Sequence, residues 1–118
     1  MLNLNSFMIG TMQHQVMAEF YQKLFQKEPT MGEEKWVGWM VGSSFISIGE
    51  HSEMTGMTKE PGRLMFNLET TEVQAEFERI KLLGAKVIKE PYQMGEMWIA
   101  TLADPDGNYF QLMSPWKA

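Results

Sequence analysis

The sequence predicts an α+β fold in two similar halves, and three observations predict it. A short internal repeat, Ala18-Glu19-Phe20 and Ala75-Glu76-Phe77, is preceded at the same distance by an apolar, strand-like stretch in each copy. Two stripes of helical period are set among many short runs of strand-forming residues. The run Asp104-Pro105-Asp106-Gly107-Asn108 has the chemistry of a tight turn between two such runs. Helices so few on strands so many place the helices on one face of a curved sheet.

The first half begins with a strand over residues 4–10. Alternation puts Phe7 and Ile9 on one side and Ser6, Met8 and Gly10 on the other. A helix starts near Thr11 or Met12. Its stripe is Val16, Phe20 and Leu24 with Met17, Tyr21 and Phe25 beside them, and Pro29 is expected to end it. Residues 36–41 and 45–49 read as hairpin strands about the Gly42-Ser43 turn. Trp36 and Trp39, three apart on one strand, face opposite ways.

Residues 54–62 hold Gly56, Pro61 and Gly62 without a period, and read as the linker between a first module of residues 1–53 and a second of residues 63–118. A strand over residues 63–68 follows, with Leu64, Phe66 and Leu68 opposite Arg63, Met65 and Asn67. Thr71 and Gln74 fit a capping box for a helix whose sheet-facing residues are Val73, Phe77 and Ile80. Gly84 suits its C-terminal end. Val87-Ile88, residues 97–102 and residues 109–113 complete the strands. On the last of these Phe110 and Leu112 face the helix, leaving Tyr109, Gln111 and Met113 on the other side.

Composition bounds the function. The chain has 118 residues, 44% hydrophobic and 21% charged, and reads as a single soluble domain. It has no cysteine, so disulfide and thiolate chemistry are excluded. The opening Met1-Leu2-Asn3-Leu4-Asn5 lacks the pattern of a signal peptide, and no apolar run approaches the roughly 20 residues of a membrane span. A cytoplasmic protein that engages no membrane is expected. The net charge of -5, with no clustering of Lys or Arg, argues against nucleic acid as a partner. Twelve methionines suit a core or an adaptable binding wall. No nucleophile motif and no glycine-rich phosphate loop occurs.

The segment Leu102-Ala103-Asp104-Pro105-Asp106-Gly107-Asn108-Tyr109-Phe110-Gln111-Leu112 resembles the closing hairpin of the glyoxalase/bleomycin-resistance/dioxygenase (vicinal oxygen chelate) superfamily. Glu78-Arg79-Ile80-Lys81-Leu82-Leu83-Gly84-Ala85 is similar to its second-half helix, and Phe20-Tyr21 to an aromatic pair of its first. The resemblance covers nearly the whole chain. It implies two βαβββ modules forming a curved mixed sheet around a ligand groove, helices outside. It also implies a choice of activities, because that superfamily holds isomerases, dioxygenases, epoxide-opening transferases and pure binders.

Enzymes of that superfamily usually hold one divalent metal through His, Glu and Gln on facing strands. Carried over, the resemblance puts the first ligand position on Ser6 and the second on Ser47. The third falls on Arg63 by the internal repeat, or on Met65 by counting from the second helix without a gap. The fourth is Gln111, in place of the usual Glu. Only Gln111 is a good donor there, since serine is a poor neutral ligand, methionine is soft and arginine repels a cation. His14 reads as a solvated helix residue. His51, beside Glu50 and Glu53, reads as a polar strand end; a register slip that turned Glu50 inward would expose Ile46 and Ile48.

The expected protein therefore uses no metal and no cofactor. The groove set implied is Ser6, Met8, Ser47, Arg63, Met65, Trp98, Tyr109 and Gln111, binding a flat, partly apolar small molecule. Two readings stay open. One is a binding or sequestering protein for an antibiotic or metabolite. The other is a lyase, isomerase or dioxygenase with a non-standard metal site. A homodimer is expected, with the Trp-rich first half and Leu112-Met113 near Trp116 as interface material.

Overall fold

The computed structural model describes residues 1–116 and divides into two compact units, residues 1–56 and residues 57–118. Each unit has a strand, a helix and three further strands, so the βαβββ order holds twice. The division falls inside the stretch read as a linker, between Gly56 and Met57.

The first unit comprises β1 (Ser6–Thr11), α1 (His14–Phe25), β2 (Met31–Glu33), β3 (Trp36–Val41) and β4 (Ser44–Glu50). Its sheet runs β1-β4-β3-β2, with β1 parallel to β4 and the other pairs antiparallel. The side chains α1 buries are Met17, Phe20, Tyr21 and Leu24, the i, i+3, i+4, i+7 stripe of one helical face. They cover the sheet side that carries Ile46, Ile48 and Trp39, all nearly inaccessible to solvent. Ile9 pairs with Ile48 and Trp39 with Ile46, so this side is apolar across three strands. The burial of Ile46 and Ile48 fixes the strand register and leaves Glu50 exposed.

Helix α1 stops four residues before Pro29. Gln26 turns left-handed at φ 56°, and the Trp39 indole N–H donates to the Lys27 carbonyl at 3.1 Å. The Phe25 ring meets Trp39 edge-on at 5.5 Å. A left-handed non-glycine residue costs about 1 kcal/mol. Burial of the Trp39 ring, with its polar edge satisfied, offsets that cost. Strand β2 was not visible as a pattern in the sequence; it exists because Met31–Glu33 pairs with β3.

The second unit comprises β5 (Phe66–Glu69), α2 (Val73–Leu82), β6 (Lys86–Met94), β7 (Met97–Ala103) and β8 (Tyr109–Met113), in the order β5-β8-β7-β6. Val73, Phe77 and Ile80 of α2 are buried over the side formed by Ala100, Leu102, Phe110 and Leu112. Phe66 stacks on Phe110 with centroids 5.8 Å apart. Gly84 takes φ +97° just past the helix, where an L side chain would be strained. In the turn, one Asp104 carboxylate oxygen accepts the backbone N–H groups of Asp106 and Asn108, each at 2.9 Å, and both oxygens accept from the Asn108 amide. Gly107 supplies the positive φ of 85° that the turn needs.

Two expectations are corrected. The capping box does not form: Glu72 is the N-cap and makes no side-chain capping bond. Thr70 acts instead, its hydroxyl accepting the Glu72 N–H at 3.0 Å. Thr11 does the same for the Gln13 N–H, also at 3.0 Å. These matched turns show the true register of the repeat. The helices start at His14 and Val73, an offset of 73 − 14 = 59, and Thr11 to Thr70 is likewise 59. The Ala-Glu-Phe match, at an offset of 57, is two residues out of phase with the architecture.

On α2, Arg79 donates from Nε and Nη2 to the two carboxylate oxygens of Glu76, at 3.0 and 2.9 Å. The hydrogen bond from Arg79 holds the Glu76 carboxyl below its ordinary 4.5, against an opposing effect of partial burial. A depressed folded pKa means stability that is present above the unfolded value and lost as pH falls through the folded one. The pair is part-exposed, so its worth is under about 1 kcal/mol. Glu76→Gln is expected to destabilise slightly at pH 7, and the difference from the parent to vanish in urea melts well below pH 4.5.

Candidate functional site

Each sheet has one side under its helix and one side free of it, and strand alternation decides what the free side carries. In the first unit the free side holds Ser6 and Met8 of β1, Phe45 and Ser47 of β4, and Trp36, Gly38 and Met40 of β3. Ser47 sits between Met8 and Gly38 in the rung. The Phe45 ring lies over Gly38, and a Cβ built there would fall 2.2 Å from it. Ser6 donates to the Asn5 side-chain oxygen at 2.8 Å. The surface is mostly sulfur and aromatic carbon, with Met8 59% exposed.

In the second unit the free side centres on Gln111. Asn67 of β5 pairs with Gln111, Gln111 pairs with Thr101 of β7, and Thr101 pairs with Lys89 of β6. A polar row thus crosses all four strands. The Gln111 amide nitrogen donates to the Thr101 hydroxyl at 3.1 Å. One rung beside the row is Glu69, Met113, Ile99 and Tyr92, and on its other side Tyr109 pairs with Ala103 and Ala103 with Lys86. The Tyr92 position is owed to a register shift. β6 advances three residues from Lys89 to Tyr92 while β7 advances two, from Thr101 to Ile99. The extra residue brings Lys89 and Tyr92 to the same side, and the Lys89 ammonium lies 5.4 Å from the Tyr92 ring centroid.

The predicted residues are thus distributed as follows. Ser6, Met8 and Ser47 share the free side of the first sheet; Tyr109 and Gln111 share that of the second. Met65 lies one residue before β5 and, at the offset of 59, is the counterpart of Ser6. Arg63 does not lie on the strand. β5 begins at Phe66, and Arg63 is an exposed residue that donates to both Glu60 carboxylate oxygens at 3.1 Å. Trp98 falls on the side opposite Gln111. It shares that side with Ala100 and Leu102, and its backbone N–H donates to the Ser114 hydroxyl at 2.9 Å.

Leu112 and Met113 are buried and give no free interface surface, whereas Trp116 is exposed. His14 is only partly solvated: the residue is half-buried, and its Nδ1 is buried without a hydrogen-bond partner. Sequence reasoning missed Thr101 and Lys89. Thr101 was hidden by an apolar strand, and Lys89 by a strand read as only Val87-Ile88.

Residues 6–113 match the glyoxalase-like domain family, and the chain belongs to it. Solved structures agree in fold. A glyoxalase/bleomycin resistance protein/dioxygenase family enzyme from Burkholderia phytofirmans PsJN is 25% identical with a TM-score of 0.78, covering 96% of this chain and 98% of that one. A glyoxalase-related enzyme from Fulvimarina pelagi is 16% identical with a TM-score of 0.81, covering 98% and 89%. The hypothetical protein SA1046 from S. aureus is 21% identical with a TM-score of 0.78, covering 98% and 94%. No curated protein matches the sequence.

The superfamily's metal implies donors that these positions do not offer. Ser6 and Ser47 carry neutral hydroxyls and Met65 a thioether, which leaves the Gln111 amide oxygen as the one good donor of the four. Among the described residues, no group of three His, Cys, Asp or Glu stands close enough to hold an ion. The donor set does not fit a hard or borderline divalent cation. Among the described residues, no helix is long and apolar enough to cross a membrane.

The placement of Trp98 has a measurable consequence. Trp98→Ala removes a half-buried ring from the helix-facing side and is expected to cost about 1–3 kcal/mol of stability, below the range for a fully buried ring. Denaturant melts would show the loss. Affinity of the folded protein for any compound bound beside Gln111 should not change.

Proposed function

We propose that this protein binds a flat, partly apolar small molecule without a metal. The observation that carries the reading is the donor set at the superfamily's four metal positions, Ser6, Ser47, Met65 and Gln111, which lacks imidazole and carboxylate. The free side of the second sheet supports it further. Tyr109 and Tyr92 give planar surface at low entropic cost, and Gln111 gives an amide already oriented by Thr101. Ser6, Met8 and Ser47 give the first unit a similar side of sulfur and hydroxyl groups. Arg63 and Trp98, one off the strand and the other on the helix side, have no part in this reading. Sequestration of an antibiotic or metabolite in the cytoplasm, by a homodimer, is the physiological form we propose.

A second reading has one observation in its favour: two of the similar structures are described as enzymes. Under it the chain is a lyase, isomerase or dioxygenase with a non-standard metal site. Elemental analysis after dialysis separates the two. The binder is expected to carry no stoichiometric metal, and one equivalent of Zn, Fe, Mn or Ni per chain would overturn it. A compound library followed by calorimetry tests the face itself. Gln111→Ala should weaken a bound compound by about 1–2 kcal/mol, roughly tenfold, with the thermal midpoint little changed. An unchanged affinity would remove Gln111 from the site. Sedimentation at micromolar concentration decides between dimer and monomer.

A further inference from the structure

We infer that the ligand is an anion, a small planar carboxylate whose charged end lies at the β6 edge of the second sheet; this rests on the binding reading above. The polar row is graded. Asn67 and Gln111 are amides able to donate and accept, Thr101 is a hydroxyl, and Lys89 is a cation. The Gln111 nitrogen donates to the Thr101 hydroxyl, taking up one of its two lone pairs and fixing the direction of the Gln111 amide. Thr101 is buried, at 6% exposure, so it holds the Gln111 amide from beneath and does not itself meet the ligand. Lys86 stands on the same side as Lys89, opposite Ala103. Two of the chain's ten Lys and Arg residues therefore converge on one strand edge, in a protein of net charge -5. No carboxylate stands in the row itself; Glu69 is a rung away on β5, at the opposite edge of the sheet.

The Lys89 side chain is also placed. The register shift turns Tyr92 to the same side, and the ring at 5.4 Å holds the ammonium over it. From Gln111 to Lys89 is two strand spacings, about 10 Å at roughly 4.8 Å each. That span suits a single planar ring with a carboxylate directed to Lys89 and an acceptor or apolar end near Gln111 and Tyr109. A neutral molecule of the same shape would leave Lys89 without an anionic partner. Selectivity for the anion over its neutral isostere is the distinguishing property.

Benzoate and its neutral analogue benzamide are the probes. Titrations of the full chain are followed by amide NMR shifts, with thermal melts as a control on folding. Benzoate is expected to shift Lys89, Thr101 and Gln111, to bind at least several-fold more tightly than benzamide, and to weaken as salt is raised. Lys89→Met keeps the aliphatic stem and removes the charge; it should abolish the preference for benzoate and leave benzamide unchanged. Lys89 is exposed, so this variant should fold. Equal binding of the two probes, no binding of benzoate, or a preference that survives Lys89→Met each overturn the anion assignment. Neutral library compounds that still shift Gln111 in that event would keep the binding face. Compounds that all bind elsewhere would remove the face as well.

Discussion

The pairing of the last strand of each unit with its first is the constraint on which the rest depends. β4 lies parallel to β1, and β8 parallel to β5, so each helix must cross its own sheet and cover one side of it. Once that side is filled by Ile46, Ile48 and Trp39 in one unit, and by Phe110, Leu112 and Leu102 in the other, period-two alternation leaves no choice on the far side. Ser47 and Gln111 are presented there because their neighbours are needed beneath the helix. A slip of one residue would bury Gln111 under α2 and expose Phe110 and Leu112, which at roughly 1.5–3 kcal/mol per large side chain is not tolerated.

The same constraint links packing to chemistry. A free sheet side is a rigid platform, and side chains on it are held at fixed rungs. Gln111 is placed by pairing on both flanks, to Asn67 and to Thr101, and its amide is held by the Thr101 hydroxyl. The β6 register shift then adds what regular alternation would not, a cation and an aromatic ring on one side of an edge strand. In this family such a platform commonly serves a metal. Under the proposed reading, the serine, methionine and glutamine positions offer hydrogen bonds and polarizable surface in its place.

Much of this was legible in the sequence, because the features concerned are local. The turn from Asp104 to Asn108, the glycine after α2, the stripe of α1 and the parity of β8 follow from short-range chemistry. What was not legible depended on pairing across the chain. Met31–Glu33 is a strand only because β3 lies beside it, and Thr70 displaced the Thr71–Gln74 capping box because its turn sets the helix start. The Ala-Glu-Phe match gave a register two residues from the true one, which is why Arg63 was placed on a strand it does not join. Alternation groups Trp98 with Ala100 and Leu102, but alone it could not say which side of the sheet that group occupies. The β6 shift broke the very periodicity by which Lys89 would have been found.

The central claim is that one side of the second sheet, and not the other, meets the ligand. Methyl-detected NMR during a ligand titration separates the two sides directly, since neighbouring residues on one strand carry methyl groups to opposite faces. The account predicts that the methyl signals of Ile99, Thr101 and Met113 move, while those of Leu68, Ile80, Leu102 and Leu112 stay in place. Movement confined to the second set would contradict it.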